Sequence, residues 1–220
     1  MSRTDDDLRT MLADGTLTTS LLGDVCDRHG FYHQFLPPAV HCQNPALTLV
    51  GRAMPVLTAE VFSPQPRPFG RLTDALDQLQ PGEVYVGGGG LMRNASWGEL
   101  LTVIAKERGA AGAVIDGWHR DTRAVNAEQW PVYSRGSYGQ DAGVRSQVLD
   151  FRVCVELGRV TIQPGSLVVA DVDGVLVLPP AMEQEIIEGA LEKSGKEREL
   201  RAAILGGMSS TDAWNTYGVL

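Results

Sequence analysis

A short charged loop follows an apolar run in the segment GAVIDGWHRDTRAV, residues 112–125. The apolar residues 113–115 predict a buried strand, and Asp116, Arg120 and Asp121 come soon after it. In α/β proteins, ligands usually bind at loops that follow the carboxyl ends of strands. Two interpretations of Arg120 and Asp121 are therefore open: a solvated ion pair, or an acid that holds a metal ion beside a cation that binds an anion.

A second acid, Glu99, lies at the start of the helix that is predicted before this strand. A helix and the strand after it run antiparallel, so Glu99 and Asp121 can converge although they are 22 positions apart. Two carboxylates and water molecules suit a hard cation such as Mg²⁺. The segment SWGE at 96–99 also fits a capping box, in which Glu99 only satisfies a backbone amide. With either role of Glu99, the amides of Leu100 and Leu101 at the positive end of the helix dipole can bind a carboxylate.

The other candidate motifs favour structural explanations. We expect His119, beside Trp118, to be an ordinary loop residue, because it is a lone histidine with no other histidine or cysteine near it in the sequence. No GxSxG pattern occurs, and the glycines at 87–90 fit neither the P-loop nor the GxGxxG pattern. We expect these glycines to let the backbone pass close to a ligand or another chain. The segment DVDG at 171–174 resembles the opening of a calcium loop, but the later ligands are missing and the segment favours a β-hairpin.

The composition limits the class of protein. The 220 residues are 43% apolar and 21% charged, which predicts a single globular domain over 1–220 with a core at about 16–180. The net charge of −8 argues against nucleic acid or an acidic membrane surface as a partner, since both select basic faces. Neither a signal pattern nor an apolar run of about 20 residues is present, so we expect a cytoplasmic protein. Cys26, Cys42 and Cys154 form no CxxC pair, which suits packing roles in a reducing compartment.

Periodicity and turn residues predict the elements that position the charged loop. Helices are expected at 16–30 and 71–82, a helix followed by a strand over 96–116, and a long charged helix within about 180–205. Further strands are expected within 46–59, 83–90, 131–134, 151–157, 159–162 and 167–179. These elements predict a mixed α/β fold with a projecting carboxyl-terminal helix.

Four segments resemble the RraA-like superfamily. They are WGELL at 97–101, RGAAGAVIDGWHRD at 108–121, PVYSRG at 131–136 and PGSLVVADVDGVLVLP at 164–179, and the resemblance runs over about residues 16–205. That family includes divalent-metal-dependent 4-hydroxy-4-methyl-2-oxoglutarate/4-carboxy-4-hydroxy-2-oxoadipate aldolases, and also regulators of ribonuclease activity without enzyme function. The resemblance implies a single-domain mixed α/β fold of the swivelling β/β/α type. It also implies a homotrimer or hexamer with sites between subunits.

The resemblance also assigns the metal and substrate sites. The aldolases carry an acid, twenty intervening residues and then Arg-Asp, and Glu99, Arg120 and Asp121 reproduce that spacing. It implies that Asp121 ligates the metal, Mg²⁺ or Mn²⁺ or another divalent ion, and that Arg120 binds a keto or carboxylate oxygen of the substrate. The helix start at Gly98, with the amides of the two leucines that follow Glu99, would hold the pyruvyl carboxylate.

Two further acids match catalytic positions of the family. Asp27 in GDVCDRHG matches an acid near the metal site, and Glu197 matches one that reaches the site from a neighbouring subunit. Two features depart from the family pattern. Glu99 stands where the aldolases usually have Asp, and the glycines at 87–90 with Leu91-Met92-Arg93 match no substrate pocket. Both departures leave the identity of the substrate open.

The implied activity is that of a metal-dependent (class II) aldolase, a carbon–carbon lyase that cleaves a 4-hydroxy-2-oxo acid to form pyruvate enolate. Oxaloacetate decarboxylation yields the same enolate. A Schiff-base aldolase needs a buried lysine, and we expect Lys106, Lys193 and Lys196 to lie on charged helical faces. Two alternatives stay open: a non-catalytic RraA-type regulator that binds a ribonuclease or another protein, and an enzyme that acts on a different hydroxy acid. The intact acid, Arg and Asp favour an enzyme.

Overall fold

A computed structural model describes residues 3–89 and 93–218 of the chain. Its helices are α1 (Asp5–Ala13), α2 (Thr19–Arg28), α3 (Leu72–Asp77), α4 (Glu99–Glu107), α5 (Thr122–Ala127), α6 (Glu183–Leu205) and α7 (Ser210–Tyr217). Its strands are β1 (His41–Cys42), β2 (Leu49–Glu60), β3 (Glu83–Gly88), β4 (Ala95–Trp97), β5 (Gly112–Ile115), β6 (Trp118–His119), β7 (Val132–Ser134), β8 (Ser146–Phe151), β9 (Val155–Leu157), β10 (Val160–Ile162), β11 (Leu167–Asp171) and β12 (Gly174–Val177). Among the described helices, none combines the length and the apolar character that a membrane crossing requires.

The long strand β2 organises the main sheet, whose order is β1-β7-β5-β3-β2-β11-β12. One edge of β2 pairs with the parallel strand β3. The other edge pairs first with β11 and then with β8, both antiparallel. The register with β8 shifts between Leu57 and Thr58, a bulge of the kind that bends a strand. The sheet is therefore nearly closed, and the fold is the predicted mixed α/β fold with a carboxyl-terminal helix.

Parallel strands place the charged loop at one edge of this sheet. β2, β3, β5 and β7 are parallel neighbours, and α3, α4 and α5 connect them in turn. The carboxyl ends of such strands meet at one edge, where the connecting segments gather. Here β4 and β6 lie in the segments that follow β3 and β5, and they pair with each other. This pairing brings the start of α4 beside the loop after β6.

Both faces of the sheet are buried, which explains the continuous apolar runs in the sequence. Val114 of β5 packs into a cluster with the β9–β10 hairpin, whereas Ala113 and Ile115 face a second cluster under α3, α4 and α5. A third cluster lies under α1, α2 and α6. Full burial of one such aliphatic side chain stabilises the fold by about 1.5–3 kcal/mol. The predicted buried strand at residues 113–115 is confirmed.

The acidic segment at 171–174 is a β-hairpin, as predicted. Asp171 and Gly174 face each other across the β11–β12 pair. The carboxylate of Asp171 accepts hydrogen bonds from the amide and hydroxyl of Thr19 and from the amide of Asp173. Asp171 therefore fastens the start of α2 to the hairpin, which is a structural role.

Some predicted elements differ from the structure. The strand expected over 151–157 is interrupted, because Arg152 has a left-handed backbone (φ 56°) and its guanidinium binds Glu83 at 2.6 Å. Helices α1, α5 and α7 were not predicted. The expectation that all three cysteines are packing residues is wrong for Cys154, which is exposed. Cys26 is buried, and burial raises the pKa of its thiol to about 11.

The long carboxyl-terminal helix α6 is confirmed, and its burial changes along its length. Ile186, Ile187 and Ala190 are buried against α2, whereas Leu205 at the end is 72% exposed. The predicted position of Lys193 on a charged helical face is wrong, because this side chain is buried. The helix packs this lysine inward on the same side as its apolar residues.

Candidate active site

Arg120 and Asp121 lie together where the β6 segment turns into α5. The amide of Arg120 donates to the carbonyl of Trp97 at 3.0 Å, which continues the β4–β6 pairing. Asp121 has a left-handed backbone (φ 58°, ψ 33°) and is the N-cap residue of α5. A non-glycine residue in this region is strained, and such residues cluster at functional sites. Asp116, the other acid of the loop, binds Arg135 at 2.6 Å and so faces another group.

The carboxylate of Asp121 lies against the start of α4. A Cβ atom added to Gly98 would be 2.8 Å from Oδ2 of Asp121 and 3.4 Å from Cγ of Arg120. Gly98 has an extended backbone that any residue can adopt, so the close approach and not the φ angle requires glycine. The structure thus brings Gly98, Arg120 and Asp121 together, with Glu99 as the first residue of the helix.

The capping box predicted at residues 96–99 is absent from the start of α4. The N-cap residue is Gly98, which has no side chain, and Ser96 belongs to β4. The first amide paired within the helix is that of Thr102, which donates to the carbonyl of Gly98 at 3.1 Å. The amides of Leu100 and Leu101 therefore have no carbonyl partner within the helix, in keeping with the general structure of helix starts. Their binding of a substrate carboxylate stays a prediction.

Arg120 lies between two carboxylates. Its Nη1 donates to Oδ1 of Asp141 at 2.8 Å, and its Nε is 3.5 Å from Oδ2 of Asp121. The second oxygen of Asp141 accepts from the amide of Gly143 at 2.8 Å, which fixes the orientation of this carboxylate. The sequence did not single out Asp141, because its segment has no periodicity and 21 positions separate it from Arg120.

Acids outnumber bases at this site. Asp121 and Asp141 flank Arg120, so the formal charge of these three side chains is −1. Carboxylate oxygens are the ligands that hard divalent cations prefer. No group of three or more His, Cys, Asp or Glu side chains arranged for metal binding was found within residues 3–89 and 93–218. An ion at Asp121 would therefore have only one or two protein ligands and would need several waters, a coordination that Mg²⁺ accepts.

His119 is a buried strand residue and not the ordinary loop residue that we expected. Its side chain is 1% exposed, and both ring nitrogens have partners: Nδ1 lies 2.7 Å from Oγ of Ser134 and Nε2 lies 3.0 Å from Oγ1 of Thr122. Burial lowers the pKa of His119, which favours the neutral ring. Because Thr122 directly follows Asp121, these hydrogen bonds hold the turn that presents the carboxylate.

Asp27 and Glu197 lie elsewhere in the single chain. Asp27 is at the last turn of α2 and lines a cleft with Leu176 of β12, which is four positions from β5 in the sheet. Glu197 binds Lys193 at 3.3 Å, and Lys193 also binds Asp24 of α2. One chain therefore does not bring either acid to Asp121, and their contribution from a neighbouring subunit stays a prediction. The amine of Lys193 is therefore engaged by two carboxylates of this chain.

The glycines at the end of β3 and just after it approach this chain's own strands. A Cβ on Gly89, which has φ 116°, would lie 2.6 Å from the carbonyl oxygen of Thr58 in β2. A Cβ on Gly88 would overlap the side chain of Leu157 in β9. The close approach expected for this run is thus to its own fold, whereas Gly90, Leu91 and Met92 lie outside the described residues.

Comparison with known proteins identifies the family. The family model RraA-like, described as Aldolase/RraA, matches residues 18–177. A Shewanella oneidensis protein named "Putative 4-hydroxy-4-methyl-2-oxoglutarate aldolase" is 33% identical over 71% of this chain and 92% of its own length. A Halalkalibacterium halodurans protein of the same name is 34% identical over 59% of this chain and 62% of its own length.

Solved structures agree with this family. RraAS2 of Streptomyces coelicolor, whose structure is described as an unusual member of the RNase ES inhibitor RraA protein family, superposes with a TM-score of 0.77. It is 26% identical, over 91% of this chain and 98% of its own. The chain spans only about three fifths of the length of two curated relatives that are 34% and 35% identical to it. The chain belongs to the RraA-like family.

Proposed function

We propose that this protein is a lyase that cleaves a carbon–carbon bond of a 4-hydroxy-2-oxo acid and releases pyruvate, with the help of a divalent metal ion. The observation that carries the proposal is the position of Asp121, whose carboxylate lies beside Arg120 and the start of α4. The names of the Shewanella and Halalkalibacterium relatives support the same reaction class.

Asp121 is the residue that would hold the ion, and Glu99 directly follows Gly98, the residue that the Asp121 carboxylate approaches. When bound, a divalent ion supplies positive charge that stabilises the negative charge developing on the 2-oxo acid as the bond breaks. Mg²⁺ and Mn²⁺ both accept carboxylate and water ligands, so both fit these residues.

The chain's own groups bind and orient the substrate. The guanidinium of Arg120, held by Asp141, presents fixed donors to a carboxylate or enolate oxygen. The amides of Leu100 and Leu101 lie at the positive end of α4 and suit the pyruvyl carboxylate. Together these donors would fix the 2-oxo acid with its C3–C4 bond above Asp121.

Proton transfer completes the cleavage. The C4 hydroxyl loses its proton to a base, the electrons of the C3–C4 bond form the enolate of pyruvate, and C4 becomes a carbonyl carbon. We propose that Glu99, the first residue of α4, accepts that proton, directly or through a water, and returns one to C3. The decarboxylation of oxaloacetate requires the same enolate without the first proton transfer, so we expect it as a second activity.

Asp27 and Glu197 enter the proposal through assembly. In a homotrimer or hexamer with sites between subunits, these acids of one subunit would assist the base of its neighbour. Glu197 forms an ion pair with Lys193 in the single chain, and it would either keep this ion pair or replace it by contacts in the neighbouring site. Measurement of specific activity and molecular mass over a dilution series tests this, because loss of the assembly must then reduce the activity.

Substitution of Asp121 tests the proposed reaction. We expect Asp121→Ala to lower metal-stimulated pyruvate release from oxaloacetate and from 4-hydroxy-4-methyl-2-oxoglutarate by about 10³-fold or more, since the ion loses its protein ligand. Asp6→Ala, at an exposed acid of α1, is the matched control and is expected to keep full activity. Wild-type turnover by Asp121→Ala in a folded protein would refute the proposal.

A second candidate is a non-catalytic regulator that binds a ribonuclease. The similarity to Streptomyces coelicolor RraAS2 favours it, because that protein's description names an RNase ES inhibitor family. Titration of a purified ribonuclease with this protein, beside the pyruvate assay, separates the two. Inhibition at stoichiometric amounts without pyruvate release would establish the regulator.

A further inference from the structure

An aromatic cleft lies beside the candidate active site, and none of the steps above uses it. Arg93, Trp118, Ser137 and Tyr138 line this open cleft, whose volume is about 280 Å³. The rings of Trp118 and Tyr138 meet edge to face, with centroids 6.3 Å apart. Tyr138 is 45% exposed, so aromatic surface is open to solvent. Concave aromatic surface of this kind binds apolar and aromatic groups.

The strand β6 fixes the cleft relative to Arg120. Side chains alternate along a strand, and the buried His119 separates Trp118 from Arg120. Arg120 directly follows β6, so it lies only about 7 Å along the chain from Trp118. The amide of Tyr138 donates to the carbonyl of His119 at 2.8 Å, which holds the second ring to the same strand. The segment from Tyr138 continues to Asp141, the partner of Arg120.

Arg93 adds a cation at the rim of the cleft. Its guanidinium lies 4.9 Å from the centre of the Phe62 ring, and its Nε lies 3.4 Å from Oε1 of Glu60. Its side chain remains 62% exposed, so the charge can also reach a ligand. A cation beside two aromatic rings suits a ligand that combines an aromatic group with a carboxylate.

We propose that this cleft binds an aromatic substituent on C4 of the substrate, so that the fragment released with pyruvate is an aryl-substituted 2-oxo acid. This inference rests on the proposed function, which places the pyruvyl end at Arg120 and α4. The chemistry is the same cleavage: the C4 hydroxyl loses its proton, the C3–C4 electrons form pyruvate enolate, and C4 becomes the keto carbon of the aryl fragment. The rings select the substituent and take no part in bond breaking.

Two substrates that differ only in the C4 substituent test the inference. These are 4-hydroxy-4-methyl-2-oxoglutarate and its 4-benzyl analogue, compared by the ratio of their kcat/KM values. We expect the wild-type protein to prefer the benzyl substrate, and Trp118→Ala and Tyr138→Ala each to lower the benzyl-to-methyl ratio about tenfold. Trp214→Ala removes an aromatic side chain that is 54% exposed on α7, and this control is expected to keep the wild-type ratio. A ratio that neither cleft variant changes would overturn the inference.

A binding measurement separates this inference from the proposed function. We expect phenylpyruvate to bind the full-length protein with Mg²⁺ about tenfold more tightly than pyruvate does, and Trp118→Ala and Tyr138→Ala to remove the difference. If neither substrate is cleaved but phenylpyruvate still binds more tightly than pyruvate, the proposed lyase reaction is refuted and the binding of aromatic groups in the cleft is supported. Equal affinities of the wild-type protein for phenylpyruvate and pyruvate would refute the binding of aromatic groups in the cleft. The cleft variants could also change the molecular mass of the assembly while they keep the wild-type preference for phenylpyruvate. That result would refute the inference, because it would mean that the two rings bind a second copy of the chain and not the ligand.

Discussion

At the scale of single residues, Gly98 and Asp121 depend on each other. The carboxylate can lie at the start of α4 only because Gly98 has no Cβ, which would be 2.8 Å from Oδ2 of Asp121. We expect Gly98→Ala to displace Asp121 and to lower kcat/KM for pyruvate release about 100-fold, because displacements of about 1 Å at an active site have effects of this size. Steady-state kinetics with a thermal melt provide the measurement.

Gly195→Ala is the matched control for that substitution. A Cβ at Gly195, within α6, has no neighbour within 4 Å. Alanine is the better helix former, so this variant should be up to about 1 kcal/mol more stable and equally active. Full activity of Gly98→Ala would mean that the position of Asp121 does not matter for the reaction.

Asp141 is expected to act by orienting Arg120. Its replacement by Asn keeps the shape but weakens the ion pair at 2.8 Å, which leaves the guanidinium freer to move. We expect Asp141→Asn to raise KM for the 2-oxo acid about tenfold with a smaller change of kcat, since Arg120 binds the substrate. Asp150→Asn changes a similar surface pair with Arg71 and should leave both constants unchanged. A lowered kcat at constant KM would contradict an orienting role.

The predictability of the site differs from residue to residue. The spacing of Glu99, Arg120 and Asp121 was sufficient to place them at one end of a helix–strand unit, because that unit has a fixed geometry. Asp141 could not be found in this way, since it reaches Arg120 through an irregular loop. The burial of His119 was equally hidden, because its partner Ser134 comes from β7.

At the scale of elements, strong local patterns were predictable and elements that depend on distant partners were not. The apolar run of β5 and the length of α6 follow from the sequence directly. The strands β4 and β6 have only three and two residues, and they exist because they pair with each other. Helix α1 carried a readable signal, the capping box of Thr4 and Asp7, but only two buried residues to mark its apolar side.

Arg52 joins three elements, and we expect its loss to destabilise the fold. From β2 its guanidinium binds Asp5 of α1 at 2.7 Å and Glu183 of α6 at 2.8 Å, and hydrogen bonds to Glu183 and then Asp5 raise its pKa. Arg52→Met leaves two acids close together without a cation. The free energy of unfolding should fall by about 2 kcal/mol and Tm by about 5 °C.

Thermal and urea unfolding measure the loss of stability in Arg52→Met, and Lys196→Met is the control variant. That control removes a cation whose partner is Glu192 on the same exposed helix face, a pair worth about 0.5 kcal/mol or less. Equal stability of the two variants would show that the contacts of Arg52 act as ordinary surface ion pairs. A larger loss in Arg52→Met supports its role as the link between α1, β2 and α6.

At the scale of the whole molecule, charge should set the order in which ligands bind. The chain has a net charge of −8, and the side chains of Arg120, Asp121 and Asp141 add to −1. A dianion such as oxalate, a mimic of pyruvate enolate, is therefore repelled until a divalent cation occupies the site. We expect oxalate binding to be undetectable with a chelator present and to appear when Mg²⁺ is restored, in calorimetry at low ionic strength.

Two further measurements separate a local ion from general screening of charge. If Mg²⁺ acted only by screening, NaCl at matched ionic strength would restore oxalate binding equally well, whereas an ion at Asp121 cannot be replaced by Na⁺ in this way. Asp121→Asn lowers the negative charge of the site by one but removes the ligand, so repulsion alone predicts tighter oxalate binding in this variant. We expect the opposite, loss of the Mg²⁺-dependent binding, because attraction to a bound divalent ion outweighs the relief of one negative charge at the same distance.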